Sequence, residues 1–321
     1  ELNTRVFLKQ IPRPCPTPQN VFKTYHKFKM KTWMLGMVVI IAILLALLAS
    51  TVDPMCGHKA TCGRRHKIAV LVYNIGGYDT IKFAEQEKVV CDIDAFFYTT
   101  KDSVSNTDLK SLRAQGWRII FTTRANATAN NGSDRLTSKR LKWNLSSEFK
   151  EYDYVLTHDC NLYIDYAKVR DFITSEMNGY SVLFKNWDDN SRRWKSGYRI
   201  FWEINDFLTS RIDRIRESEE ETKKWRDMLL NDNTYNPEPY FETNVFIFSP
   251  KCVKYQIFGR KVYEHCHKLQ RDQFIVPYVL FQENVQFKVK SQQELVEKIG
   301  YRKMSGHLIN EKHQRTRHRT A

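Results

Sequence analysis

The sequence predicts an α/β domain of Rossmann type, with a mostly parallel sheet flanked by helices, preceded by one transmembrane helix. Short apolar runs bounded by glycine and other turn residues alternate with segments of helical periodicity, which is typical of a parallel sheet. A separate run of twenty residues, Trp33 to Val52, carries no charge at all. At 1.5 Å per residue such a helix is about 30 Å long, the thickness of a bilayer's hydrocarbon core.

The composition suits a folded domain and argues against a nucleic-acid binder. The chain has 321 residues, of which 42% are hydrophobic and 13% aromatic, enough to build a core. Its formal charge of +15 could attract a phosphate backbone. The basic residues are spread along the chain, however, and no zinc-finger, RNP-like or basic-zipper spacing is present. We therefore expect no nucleic-acid partner.

Charges around the apolar run predict its orientation. Four lysines precede it closely, whereas the ten residues after it contain only Lys59 as a basic residue. The positive-inside rule then predicts a cytosolic segment 1–32, a signal anchor 33–52, a stem 53–65, a lumenal catalytic domain 66–300 and a basic, flexible tail 301–321. Cleavage near Ala49 and Ser50 would instead make the run a signal peptide and the product secreted. The four lysines that precede the apolar run are Lys23, Lys27, Lys29 and Lys31.

The sequence after the apolar run has features of a secretory-pathway protein. Three glycosylation sequons begin at Asn126, Asn131 and Asn144. Six of the seven cysteines also lie there, where disulfides can persist, although their pairing does not follow from the sequence. We therefore expect a single-pass type II protein of the Golgi or endoplasmic reticulum membrane. Its oligomeric state is not predicted.

The secondary structure follows from apolar patterning. Six strands are predicted at 68–73, 94–99, 117–122, 152–157, 181–184 and 241–248. Ile204, Phe207, Leu208, Ile212 and Ile215 share one helical face, and the charged residues up to Lys224 form a solvated surface. A late helix is predicted from Arg271 to Leu280, limited by Pro277.

Three segments at strand or helix ends could carry chemistry, because ligands of open α/β sheets bind beyond the carboxyl ends of the strands. The first is the turn Gly76, Gly77, Tyr78 and Asp79, where paired glycines allow a ligand close to the backbone and the tyrosine could stack on a base. An ordinary tight turn explains the same residues, so the segment alone does not decide between the two interpretations.

The second segment follows the fourth strand. Asp159 and Asn161, separated by Cys160, could turn towards one divalent cation. Their oxygen atoms suit Mn²⁺ or Mg²⁺, which would bridge a diphosphate and neutralise a departing nucleotide. Because Asp and Asn are also common in turns, a structural role is equally compatible with the pattern.

The third segment opens the late helix. Asp272 could orient or deprotonate an acceptor hydroxyl, and Arg271 could face a phosphate. Helix capping by Asp272 is the alternative. Glu203 could contact the donor, but a surface role is favoured for it. The cluster His265, Cys266 and His267 is not expected to bind metal, since neighbouring helical residues point in different directions.

Taken together, these segments resemble the plant TOD1/MUCI70-like glycosyltransferase domain family. The matching pieces occur in family order over roughly residues 66 to 290 and are listed here: Gly76–Asp79, Lys139–Lys142 ahead of Tyr152–Tyr154, Asp159–Asn161, and Arg271–Gln273. The chain departs from the family pattern at His158, Cys160 and Thr100, where an apolar residue, a small residue and an acid are usual. The resemblance implies a GT-A-like fold, a nucleotide-sugar donor and a type II membrane protein of the Golgi.

The same resemblance implies roles for individual residues. Asp159 and Asn161 would hold the metal and diphosphate, and Arg140 and Lys142 would face the donor phosphates. Separately, His307 in the tail could fold back as a further metal ligand, as late histidines do in some GT-A enzymes. The turn Gly76 to Asp79 would contact the nucleoside. Asp272 would contact the transferred sugar or the acceptor.

We therefore predict a metal-dependent glycosyltransferase that moves a hexose from a nucleotide sugar, most simply a UDP-sugar, to a glycan or glycoprotein acceptor. Catalysis would be mainly electrostatic, with Asp272 as the base if the reaction inverts the anomeric centre. Retention needs no such base, and the sequence does not decide between the two. One alternative is a ceramidase-type lipid amidase, and another is a non-catalytic, membrane-tethered glycan-binding protein.

Overall fold

The structure is a computed structural model that describes residues 66–77, 79, 81, 89, 92–124, 133–186, 199–209, 218–237, 240–269 and 271–303. The predicted membrane segment Trp33–Val52, Tyr78 and His307 lie outside these residues. Within the described part of the chain, no helix has the length and apolar character needed to cross a membrane.

The described strands form a seven-stranded sheet in the order β3-β2-β1-β4-β7-β6-β8, and a small two-stranded sheet of β5 and β9. β7 runs antiparallel to both of its neighbours, while the other six strands of the large sheet run parallel to one another. The strands are β1 (Ile68–Asn74), β2 (Ile93–Thr99), β3 (Arg118–Phe121), β4 (Tyr154–Asp159), β5 (Leu162–Tyr163), β6 (Val182–Asn186), β7 (Phe241–Phe248), β8 (Phe287–Lys290) and β9 (Arg302–Lys303). The predicted mostly parallel α/β sheet is therefore confirmed.

Helices cover both faces of the large sheet because its strands are apolar on both sides. In β1, Ala69 and Leu71 belong to the apolar core on one face and Val70 and Val72 to the core on the other. This arrangement is typical of strands that pack between two helical layers. The described helices are α1 (Asn106–Ala114), α2 (Ser133–Trp143), α3 (Tyr166–Glu176), α4 (Arg199–Thr209), α5 (Glu219–Asn231), α6 (Val253–Cys266), α7 (Asp272–Gln282) and α8 (Gln292–Ile299).

The fourth strand begins and ends two residues later than predicted. Tyr152 lies before the strand. Its ring packs edge-on against Phe96, and its hydroxyl donates to Asp94. The carboxylate of Asp153 accepts from the backbone N–H of Lys67 at 2.8 Å, which fixes the turn into β4. The shift places Asp159 as the last residue of the strand.

The prediction that Pro277 limits the late helix is wrong, because α7 continues to Gln282 with Pro277 inside it. A proline in a helix removes one backbone hydrogen bond and costs roughly 3 kcal/mol. In α7 the segment from Phe274 to Leu280 is buried throughout. Burial of these apolar side chains outweighs the local cost, since tertiary packing supplies most helical stability in proteins.

The folded region extends past the predicted boundary at residue 300. Tyr301 is 3% exposed, and β9 pairs antiparallel with β5. Gly300 ends α8 in the left-handed conformation, with φ at 64°, which turns the chain back towards β5.

Candidate active site

The ends of β1 and β4 and the start of β7 meet at the carboxyl edge of the sheet. Tyr73 pairs with Asp159 across β1 and β4, and His158 pairs with Val245 across β4 and β7. Because β7 is antiparallel, its first residues lie beside the last residues of β4. The polar residues that follow or begin these strands are thereby collected at one edge.

The turn after β1 is built for glycine. Gly76 and Gly77 have φ values of 72° and 63°, in the left-handed region. A Cβ atom on Gly76 would lie 2.6 Å from an oxygen of Asp134 in the first turn of α2, so no larger residue fits there without movement. Gly76 is exposed, and its N–H donates to Ser103 Oγ at 2.7 Å.

Hydrogen bonds between two buried residues, Asn74 and Asp79, close this turn. The Asn74 amide donates to the Asp79 carbonyl at 2.9 Å and accepts from its N–H at 3.4 Å. The Thr99 hydroxyl donates to the Asn74 carbonyl at 2.8 Å, which ties the turn to the end of β2. These hydrogen bonds position Gly76, Gly77 and Asp79 at the carboxyl edge of the sheet.

Each of the three predicted segments contributes a carboxylate whose charge affects the pKa of Tyr73. Burial raises the pKa of Tyr73 most, and the negative charges of Asp159, Asp272 and Asp79 raise that pKa further. The Tyr73 hydroxyl donates to Asp159 Oδ1 at 3.4 Å. The structure thus brings together the three segments in which the sequence predicts a site.

His158 and Cys160 fix the chain on either side of Asp159. His158 Nδ1 donates to the Asp159 carbonyl at 2.9 Å, and the Tyr166 hydroxyl donates to His158 Nε2 at 2.8 Å. The Cys160 thiol donates to the Tyr73 carbonyl at 3.0 Å. These contacts give a physical role to His158 and Cys160, two of the three positions that depart from the pattern of the resembled family. The Asp159 side chain remains partly exposed, and Asn161 is 2% exposed.

Asp272 is a buried carboxylate neutralised by two lysines. Lys139 Nζ lies 2.8 Å from its Oδ1, Lys142 Nζ lies 2.9 Å from its Oδ2, and the Trp143 indole donates to Oδ2 at 3.0 Å. Burial alone would raise the pKa of Asp272, but the charges and hydrogen bonds of Lys139 and Lys142 hold that pKa well below its usual value. A carboxylate with such a low pKa is a weak proton acceptor.

Arg140 points to a different place from its helical neighbours. Its Nη2 donates to Thr122 Oγ1 at 2.8 Å and to the Thr123 carbonyl at 3.3 Å, beyond the end of β3. Its buried Nε has no hydrogen-bond partner. Lys142 is 6% exposed and bound to Asp272, whereas the Lys139 side chain is 20% exposed. The structure therefore places Arg140 and Lys142 against different partners, and makes Lys139 the more accessible lysine of the pair.

Arg271 lies in a second buried cluster. Its Nη2 is 3.9 Å from Glu203 Oε2, which accepts a hydrogen bond of 2.5 Å from Tyr240. Glu203 is 7% exposed, so the surface role favoured for it is wrong. Glu203 lies on the buried face of α4 with Ile204 and Phe207, and an ion pair and a hydrogen bond compensate the burial of its carboxylate. Its pKa is raised, chiefly by burial.

Four further polar residues at this edge carry no sequence signal that we recognised. Lys185 is 1% exposed at the end of β6 and pairs with Glu242 of β7 at 2.9 Å. The Asn244 amide donates to the Tyr301 hydroxyl at 3.2 Å. An isolated lysine inside an otherwise apolar strand, as in the segment Val182–Asn186, is the one pattern that could have indicated them.

The donor atoms beside Asp159 fit a hard divalent cation in type. Asp159 and Asn161 offer only oxygen among their acceptors, as Mg²⁺ and Mn²⁺ prefer. Among the described residues, no group of three or more His, Cys, Asp or Glu side chains could hold a metal ion. Further oxygen ligands would therefore have to come from elsewhere, such as a bound phosphate. His265 and His267 pack edge-on against Trp225 and Tyr263, respectively.

Comparison with known proteins gives structural likeness only. No known family and no curated protein matches the sequence. Similar solved structures include the apo WbbM bifunctional glycosyltransferase, with 13% identity and a TM-score of 0.40 over 71% of this chain and 39% of that chain. Apo mouse xyloside xylosyltransferase 1 has 10% identity and a TM-score of 0.43, over 70% of this chain and 84% of that chain.

A third similar structure is the 4-diphosphocytidyl-2C-methyl-D-erythritol synthase from Anaerococcus prevotii. It has 12% identity and a TM-score of 0.37, over 73% of this chain and 94% of that chain. This chain covers well under half of the WbbM protein. At such identities and TM-scores, an activity has to be inferred from the site itself.

Proposed function

We propose that this protein is a glycosyltransferase with a GT-A-like fold. It transfers a hexose from a nucleoside-diphosphate sugar, UDP-linked, to a glycan or glycoprotein acceptor. The donor binds at the carboxyl edge of the sheet, between the turn after β1 and the last turn of α2. The observation that carries this proposal is an excess of positive charge beside a strand-end carboxylate.

The last turns of α2 carry two net positive charges. Lys139 and Lys142 share one carboxylate, Asp272, which leaves one positive charge uncompensated. The hydrogen bonds of Arg140 go to the neutral oxygens of Thr122 and Thr123, so its charge is a second uncompensated positive charge. A partly buried site with this excess favours an anion of matching charge, as a diphosphate is. Lys139 and Arg140, the less buried pair, are the groups we assign to the phosphates.

Asp159 is the residue we assign to a divalent cation, with Asn161 beside it. Bound there, the cation would neutralise charge on the departing diphosphate. Tyr73 orients the Asp159 carboxylate through its hydroxyl, and His158 fixes the backbone of the same residue. Gly76 and Gly77, neither of which is buried, would contact the nucleoside, and the hydrogen bonds between Asn74 and Asp79 keep that turn in place.

Asp272 acts, in this proposal, as a positioning residue. Its carboxylate holds Lys139 and Lys142 at the donor site and anchors Trp143 at the end of α2. Because its pKa lies well below the ordinary value, it is poorly suited to take a proton from an acceptor hydroxyl. Arg271 supports the adjoining wall through Glu203.

We further propose that the domain lies in the lumen of the Golgi or endoplasmic reticulum, anchored by Trp33–Val52. Cys252 is disulfide-bonded, which is usual in oxidising compartments. Asn144, the acceptor of the third sequon, is exposed at the end of α2, as a glycosylated asparagine must be.

Donor hydrolysis tests the proposal directly. The full chain is incubated with a panel of UDP- and GDP-sugars, with Mn²⁺ or with a chelator, and release of the nucleoside diphosphate is measured. We expect metal-dependent release with a UDP-sugar, which Asp159→Ala abolishes. Asp227→Ala, at an exposed position of α5, is the matched control and should retain the activity.

Other results would identify the alternatives. Ceramide cleavage without nucleotide dependence would replace the transferase by a lipid amidase. Glycan binding without turnover of any donor would indicate a tethered binding protein.

A further inference from the structure

A polar group on the far side of Asp159 from the turn after β1 belongs to no role described so far. It consists of Lys185, Glu242, Asn244 and Tyr301, which we call the β6–β7 cluster. In the sheet order, β7 and β6 follow β4 on the side opposite β1. The cluster therefore lies next to the proposed cation site but away from the helix that carries the phosphate-binding charges.

An irregularity in strand pairing creates the cluster. Phe184 of β6 pairs with Phe246 of β7, but the next residue, Lys185, pairs with Glu242. Three residues of β7, including Asn244, therefore lack a partner on β6. Bulges of this kind redirect side chains and are frequent beside functional sites.

The β6–β7 cluster buries charged and polar groups, and their desolvation costs folding free energy. Lys185 is 1% exposed, its Nζ lies 2.9 Å from Glu242 and 5.5 Å from the centre of the Tyr301 ring. A buried ion pair is weak evidence for stability, because desolvation offsets much of its attraction. The Glu242 side chain is 22% exposed, so its carboxylate can still meet a ligand.

One acceptor atom in the cluster has no donor. Asn244 donates through Nδ2 to the Tyr301 hydroxyl at 3.2 Å, and its buried Oδ1 accepts no hydrogen bond. Buried polar atoms are almost always paired, so an unpaired one needs an explanation such as a ligand. In this amide orientation, the partner that Oδ1 lacks is a hydrogen-bond donor, such as a hydroxyl group.

The charges of the cluster limit the chemistry of that ligand. Burial raises the pKa of Tyr301, and the negative charges of Glu242 and Asp159 raise it further, so the electrostatic field at the Tyr301 hydroxyl is negative. Lys185 neutralises one of them. An anionic ligand is disfavoured there, whereas neutral hydroxyl groups can donate to Glu242 and to Asn244.

We propose that the β6–β7 cluster is a subsite for the hydroxyl groups of a neutral sugar, with Asn244 Oδ1 and Glu242 as the accepting groups. This inference rests on the proposed function. The sugar is either the one carried by the donor or the first unit of the acceptor, since both offer the same hydroxyl chemistry.

Asn244→Ala in the full chain tests the subsite, with Asn231→Ala at the exposed end of α5 as the matched control. Two affinities are measured for each variant: KM for the UDP-sugar against the affinity for UDP alone, and binding of simple methyl glycosides in the presence of UDP. Loss of one hydrogen bond to a sugar hydroxyl should weaken sugar binding about five- to tenfold. UDP affinity should stay unchanged.

The outcomes separate the two proposals. A raised KM for the UDP-sugar assigns the subsite to the donor sugar, and weakened methyl-glycoside binding assigns it to the acceptor. If the wild type turns over a donor but Asn244→Ala changes neither affinity relative to Asn231→Ala, the subsite is wrong and the transferase stands. Sugar binding that depends on Asn244 without any binding of UDP would retain the subsite and overturn the transferase. A wild type that binds neither sugar nor UDP overturns both.

Discussion

At the scale of single residues, the electrostatics of this protein depend on how buried charges are shared. Lys139, Lys142 and Trp143 lie on one side of α2 because residues three and four apart share a helical face. All three bind the same carboxylate, Asp272, which α7 contributes at its first position. The sequence singled out Lys139, Lys142 and Asp272, but only the structure shows that both carboxylate oxygens of Asp272 are already paired with these lysines.

Removal of the Asp272 charge should destabilise the fold. Asp272→Asn leaves two largely buried ammonium groups without a counter-charge, which costs about 3–5 kcal/mol of unfolding free energy. The double variant Asp272→Asn/Lys142→Met should recover part of this loss, since it strands one cation instead of two. Urea denaturation of the three proteins measures both effects. Equal stability of Asp272→Asn and wild type would contradict the ion-pair arrangement.

His158 should make stability depend on pH. Burial lowers the pKa of His158 from 6.5 to about 4, so the folded protein keeps the ring neutral while the unfolded chain protonates it. Stability from this group is therefore complete above pH 6.5 and is lost as the pH falls towards 4, by about 3 kcal/mol in total.

The comparison with His158→Gln in chelator-containing buffer isolates this effect from that of the carboxylates. The unfolding free energy of the wild type should fall more steeply than that of the variant between pH 6.5 and 4. Parallel pH profiles would show that His158 is not held neutral.

At the scale of elements, the turn after β1 shows how backbone conformation controls the site. The left-handed φ of Gly76 and its contact with α2 both exclude a side chain. Asn74, the last residue of β1, is hydrogen-bonded to the backbone of Asp79 and so fixes the position where the chain returns after the turn. Gly76 is therefore required by the packing of α2 against the turn as well as by the backbone conformation of the turn itself.

Gly76→Ala and Gly179→Ala separate backbone strain from steric conflict. Both glycines have positive φ, at 72° and 80°, but only Gly76 has atoms within 4 Å of an added Cβ. We expect Gly179→Ala to cost about 1–2 kcal/mol of unfolding free energy from strain alone. Gly76→Ala should cost more, because Asp134 must also move, and it should weaken nucleotide binding. Chemical denaturation and UDP titration measure the two effects, and equal costs would refute the contact with α2.

At the scale of the whole molecule, the exposed end of α2 gives a test of compartment. Asn144 is accessible although Leu145 and Ser146 behind it are buried. If the domain enters the secretory pathway, Asn144 should carry a glycan.

Expression in a eukaryotic secretory host should show that glycan as a mobility shift. Asn144→Gln should reduce the apparent mass by one glycan relative to the wild type, and glycosidase treatment should remove the difference. Asn231→Gln, which alters no sequon, is the control. A wild type without any glycosidase-sensitive shift would place the domain outside the lumen.

The sequence by itself determined the fold class, and it predicted the edge of the sheet where the candidate site lies. Period-two and continuous apolar runs are local signals, so β1, β2 and β7 were predicted almost to the residue. Strand ends then located Gly76 and Asp159, because parallel strands place their carboxyl ends together, and the start of the late helix located Asp272. The predicted anchor Trp33–Val52 and the ligand role of His307 lie outside the described residues and stay predictions.

Only the tertiary structure decided which charges pair and which strands run opposite. Asp272 lost the expected properties of a base because two lysines on another helix neutralise it. Glu203 and Lys185 are buried against partners distant in sequence, Tyr240 and Glu242, and no local pattern predicts such pairing. The reason is physical: the free energy of a buried charge depends on the groups around it, and those groups come together only when the chain is folded.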